Sequence, residues 1–163
     1  MGMIKDRFLA KANAETALIK DLLKEHGNKK IGEVTLSQVY QGMRGITGLV
    51  TETSLLDPQE GIRFRGYSIP ELREKLPKSN NGSEPLPEGL FYLMLLGELP
   101  KQEDAEHVTS VLQRRSHVPT HVFEAINALP LNTHPMTMFV VGVMALQTES
   151  YFTKQYAEGL NKK

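Results

Sequence analysis

Apolar and polar positions along the chain divide it into a series of mostly helical stretches. Over residues 4–26, Ile4, Phe8, Ile19, Leu22 and Leu23 fall near one face with lysines and acids between them, which predicts an amphipathic helix. Gly27 is placed to stop it. Residues 31–36 alternate loosely and predict a short strand. Ser37 is then a candidate cap for a short helix over residues 38–43, after which Gly42, Gly45 and Gly48 break the pattern. Residues 49–54 and 62–64 are β-prone and flank Asp57-Pro58-Gln59-Glu60-Gly61, so a small hairpin is expected there. Pro70, Leu72 and Leu76 predict a short helix ended by Pro77. Residues 78–85, with Ser-Asn-Asn-Gly-Ser at their centre, read as a surface loop.

Helices follow in close succession. Residues 88–96 are strongly apolar and end at Gly97. Residues 102–115 are amphipathic, with Glu103 and Asp104 in the first turn and Arg114 and Arg115 in the last, the arrangement a helix dipole favours. A helix over 120–129 follows Pro119, and a last one is expected over about 135–160, opening at Pro135. Its first part, residues 136–146, is apolar on nearly all sides, as in helices buried in a core or a subunit interface. The expected fold is mainly α with one small β-hairpin, and no repeat or linker divides residues 1–163.

Composition narrows the function classes. The 163 residues are 40% hydrophobic and 23% charged, which is globular. Nineteen basic and nineteen acidic residues balance, so neither a nucleic-acid nor a membrane-surface role is indicated. There is no cysteine, hence no disulfide, thiolate metal site or thiol nucleophile. The longest apolar run falls well short of the ~20 residues a membrane helix needs. The first residues carry neither a secretory apolar region nor the Arg-rich, acid-poor character of a mitochondrial transit peptide.

Candidate chemistry is sparse. Among the five histidines, only His117 and His121 are four apart, and Pro119 lies between them, so a metal site is not expected. His26 suits a helix C-terminus and His134 the start of the helix at Pro135. Arg63, Phe64 and Arg65 alternate, which places both arginines on one solvated strand face. The bend Gly42-Met43-Arg44-Gly45 is neither a P-loop nor a dinucleotide fingerprint, although an arginine between glycines can present its guanidinium to a phosphate without crowding. No serine–histidine–acid arrangement is visible, and no catalytic residue is proposed.

Several strings nevertheless resemble the citrate synthase family of the eukaryotic mitochondrial type. They are Tyr40-Gln41-Gly42-Met43-Arg44-Gly45, Thr53-Ser54-Leu55-Leu56-Asp57-Pro58 and Glu60-Gly61-Ile62-Arg63-Phe64-Arg65-Gly66-Tyr67-Ser68-Ile69-Pro70-Glu71. Further along come Glu84-Pro85-Leu86-Pro87-Glu88-Gly89-Leu90-Phe91, Leu131-Asn132-Thr133-His134-Pro135-Met136 and Tyr156-Ala157-Glu158-Gly159. Their order and spacing are similar to the family's over essentially the whole chain, as its N-terminal third.

The resemblance implies a nearly all-α enzyme of two domains, with residues 1–163 the N-terminal part of the larger. It implies a homodimer that condenses acetyl-CoA with oxaloacetate to give citrate and coenzyme A at the entry to the tricarboxylic acid cycle, and a mitochondrial matrix location. Coenzyme A is then a substrate and not a resident cofactor. The family's catalytic histidines and aspartate fall in its later two-thirds and have no counterpart here. Two coenzyme A contacts carry over: Arg44, matching an arginine that touches a phosphate, and Lys162, standing where the family has an arginine reaching the partner subunit's coenzyme A. Lysine keeps that charge without the bidentate fork. Helices matching about 118–129 and 134–150 pack across the family's dimer interface. The alternative reading is a short, non-catalytic paralogue acting as a structural subunit.

Overall fold

A computed structural model of the chain describes residues 2–160. Its secondary structure is mainly α-helical, with one small antiparallel sheet. Contacts divide the chain into two compact units, residues 1–113 and 114–163.

Unit 1 opens with α1, Gly2–His26. The helix ends at His26 and the chain turns through Gly27, where a Cβ would lie 2.4 Å from the Leu23 carbonyl oxygen, so only glycine fits this close approach. The expected strand over 31–36 is absent. No described strand pairs with the segment, and Ile31 is 82% exposed, so alternation alone gave it neither partner nor core. Thr35, not Ser37, caps the following helix. That helix, α2, covers Leu36–Tyr40, because Thr35 and Gln38 complete a reciprocal capping box.

The hairpin is present with a third strand added: β1 Ser54–Asp57, β2 Gly61–Phe64 and β3 Tyr67–Ser68, in the order β1-β2-β3. Residues 49–53 stay outside it. The Asp57 carboxylate closes the first turn by accepting from the backbone N–H groups of Gln59 and Glu60, both at 2.8 Å. Those two bonds hold its pKa below the ordinary carboxylate value.

Helix α3, Ile69–Lys75, starts at a second capping box, between Ser68 and Glu71. Helix α4, Pro87–Leu96, stops at Gly97, whose φ of 76° is the left-handed ending glycine permits. Helix α5, Gln102–Arg114, follows. Both apolar clusters of unit 1 are built on α4. On one side Leu93 packs with Leu72 of α3, Leu76 just beyond its end, Phe64 and Tyr67 of the sheet, and Leu99. On the other, Tyr92 and Leu96 pack with Val108 of α5 and Ile4 of α1. A helix with apolar residues all round is the natural centre for such a unit.

Unit 2 contains α6, Thr120–Asn127, and α7, Pro135–Ala145. The single helix expected over 135–160 is instead three pieces: α7, a 3-10 turn at Leu146–Glu149, and α8, Tyr151–Ala157. Ser150 causes the restart, because its side chain accepts from the Thr153 N–H as a new N-cap. His134 caps α7 as expected, its Nδ1 accepting from the Met136 N–H at 3.1 Å. Little in this unit is covered. Val122 and Gly142 are buried, while Met136, Phe139, Val140, Val143 and Met144 stand exposed on α7.

Candidate functional site: the glycine bend around Arg44

The bend holding Arg44 follows directly from the end of α2. After Tyr40 the backbone enters the left-handed region at Gly42 and Met43, with φ of 73° and 62°, and again at Gly45, with φ of 73°. Glycine takes such angles freely. Met43 does so at a cost, so the bend is specified by its surroundings and not by default. The Met43 N–H donates to the Gln38 carbonyl at 2.8 Å, and the Ile46 N–H to the Met43 carbonyl at 3.3 Å.

These contacts leave the Arg44 side chain exposed, with no carboxylate among the described residues paired to it. An unneutralised guanidinium held on a constrained backbone can donate to an incoming anion, phosphate above all, in a bidentate geometry. Lys162, the second predicted cation, lies outside the described residues. No group of three or more histidine, cysteine or acidic side chains could hold a metal ion among the described residues. No described helix is long and apolar enough to cross a membrane.

Arg63 and Arg65 differ from the sequence expectation. Arg63 sits on β2 and pairs with Glu60 at 3.0 Å. Arg65 falls beyond the strand with φ of 48°, and the ensuing turn through Gly66 aims its side chain inward. It is 13% exposed and donates from Nε and Nη2 to the Met94 carbonyl at 3.1 and 2.7 Å. Lys11 of α1 donates to the Leu96 carbonyl at 2.9 Å. Two cations thus satisfy the last turn of α4, where carbonyls lack helical partners and the dipole is negative. Arg65 is therefore a structural residue and not part of a solvated face. An arginine followed by glycine at a strand end was the signal available for it.

A third cluster gathers at Tyr92, which is 1% exposed. Its hydroxyl accepts from Arg7, which also pairs with Glu98 and lies 3.7 Å from Asp104. Burial, then the Asp104 charge, pushes the phenol up to about 12. Arg7 thus ties α1 to Tyr92 and Glu98 and acts as an anchor for that helix.

Fold and site together define a mainly α chain with a cationic bend in one unit and an uncovered apolar helix in the other. Its similarity to known proteins runs through both features. The family model described as citrate synthase, C-terminal domain, matches residues 42–162, beginning at the Arg44 bend. The mitochondrial citrate synthase of Saccharomyces cerevisiae is 49% identical over 160 residues, 98% of this chain and 33% of that protein. The mitochondrial citrate synthase of Daucus carota is 53% identical over 144 residues, 88% of this chain and 30% of that protein. The mitochondrial 2-methylcitrate synthase of Yarrowia lipolytica is 49% identical over 160 residues, 98% of this chain and 34% of that protein. The chain belongs to the citrate synthase family. It spans about a third of the length of the curated relatives it matches.

Proposed function

We propose that the chain is the N-terminal portion of a citrate synthase of the mitochondrial matrix, an enzyme condensing acetyl-CoA with oxaloacetate and water to citrate and coenzyme A. The observation carrying this reading is the identity of about half over 98% of the chain to a mitochondrial citrate synthase. The reaction requires removal of a proton α to a thioester carbonyl and stabilisation of the charge that develops, work for positioned acids, bases and hydrogen-bond donors. The chemistry belongs to the part of the enzyme this segment does not span.

The segment's own contribution is binding and assembly. Arg44, exposed and unpaired on its bend, contacts a phosphate of coenzyme A, with Lys162 as a second cation. A contact far from the reacting carbon anchors the substrate, and binding energy gained there is available to orient the acyl group. Helices α6 and α7 pack against a second subunit, which covers Phe139, Val140 and Val143. The equal 49% identity to a citrate synthase and to a 2-methylcitrate synthase supports a role common to both, such as holding coenzyme A and forming the dimer.

The test is thiol release from acetyl-CoA with oxaloacetate present. The purified 163-residue chain is expected to give none, and the full-length natural gene product to give turnover requiring both substrates. Turnover by the short chain, or none by the full product, contradicts the proposal.

A further inference from the structure

Resting on the reading of Arg44 as a phosphate contact, we infer that Gln38 is a positioning residue for that arginine. From residue 31 to 45, Gln38 alone is half-buried while its neighbours are exposed. Both ends of its amide are engaged. Oε1 accepts from the Thr35 N–H at 3.0 Å and lies 3.1 Å from the Thr35 hydroxyl. Nε2 donates to the Arg44 carbonyl at 3.4 Å, and a Cβ on Gly45 would lie 3.9 Å from that same nitrogen. Its backbone carbonyl holds Met43 at 2.8 Å. One residue therefore ties the start of α2 to both sides of the bend, and its side chain reaches the very residue that carries the guanidinium.

The consequence is one of entropy. A surface arginine on a free glycine loop spends part of its phosphate binding on ordering the loop. With Met43 in a left-handed conformation and Arg44 tethered through its carbonyl, the backbone is ordered before the ligand arrives. A glutamine serves this purpose where a glutamate would not: both accept from Thr35, but only the amide also donates to Arg44.

Three variants of the full-length natural product, titrated calorimetrically with coenzyme A, test the inference. R44A removes the contact and is expected to weaken binding about tenfold or more, the scale of a charge-assisted hydrogen bond. Q38M, neutral and of similar length, is expected to weaken it about fivefold, the scale of one ordinary hydrogen bond. T35V removes the hydroxyl cap of α2 and leaves the Gln38 amide able to reach Arg44. It is expected to lower the melting temperature as Q38M does while changing affinity less than about twofold. If T35V weakens binding as much as Q38M, Gln38 acts only by holding α2 together and the inference is overturned. If R44A weakens binding and Q38M does not, it is also overturned, and the reading of Arg44 survives. If R44A binds as tightly as the unaltered protein, or the unaltered protein does not bind coenzyme A, both fall.

Discussion

Arg65 shows how a residue's role can hinge on one backbone angle. Alternation along Arg63, Phe64 and Arg65 pointed to a solvated face for both arginines. The chain leaves the strand after Phe64, however, and the positive φ at Arg65 turns its side chain onto the end of α4. Arg65→Ala should destabilise unit 1 by about 2–3 kcal/mol, because a charged donor making two bonds to the half-buried Met94 carbonyl is lost. Arg65→Gly should cost less, since it relieves the left-handed strain, and urea unfolding of both variants measures the difference. Tyr92 gives a pH prediction. Its phenol titrates near 12 in the folded chain and near 10 when unfolded, so the neutral form is favoured by folding. That stability is complete below pH 10 and is lost as pH rises toward 12. Tyr92→Phe should lack this share of alkaline destabilisation in melts across that window.

Helix ends decided the elements more than helix middles did. The start of α3, the end of α4 and the span of α5 were legible because Pro70, Gly97 and the charges of α5 sit where helix physics puts them. Those of α2 and α8 were missed because Thr35 and Ser150 each compete with a nearby apolar pattern. For residues 31–36, alternation suggested a strand, but a strand needs a partner that the fold does not supply. Ser68→Ala should cost about 1 kcal/mol by removing the cap of α3. The Ser68 N–H and hydroxyl also hold the Glu71 carboxyl below its ordinary range. The stability this gives is present above the unfolded carboxyl's pKa and lost as pH falls through the folded one; Ser68→Ala keeps the backbone N–H, the larger cause, and loses only the hydroxyl, so it should flatten the acid limb of the melting profile in part. Between α6 and α7 the close contact is Gly142, where a Cβ would lie 2.9 Å from Ile126 Cδ1. Gly142→Ala asks only the tip of that isoleucine to move. Gly142→Val should instead force the helices apart at a cost of about 1–3 kcal/mol, read as a lower helical melting temperature.

Across the whole molecule the two units differ in how complete they are. Unit 1 has its own core, centred on Leu93 at 0% exposure. Unit 2 leaves α7 largely uncovered, with Phe139 at 64%. That this helix must be buried somewhere was readable from residues 136–146. What covers it was not, since a uniformly apolar helix names no partner. The 163-residue chain should therefore self-associate at ~10 µM in light scattering, as exposed apolar patches of this kind do, and Phe139→Glu should reduce that association. The Arg44 bend was visible as a glycine pattern, yet the proposal that it meets a phosphate came from family resemblance, because one exposed arginine looks like many others.

The central claim is that these residues form part of a citrate synthase polypeptide, and the intact mass of the natural gene product in its source cells tests it most directly. The curated relatives are matched over 33% of their length, so a mass about three times that of the 163 residues is predicted. A mass equal to that of the 163 residues alone would contradict it and point to a short family member whose work is structural.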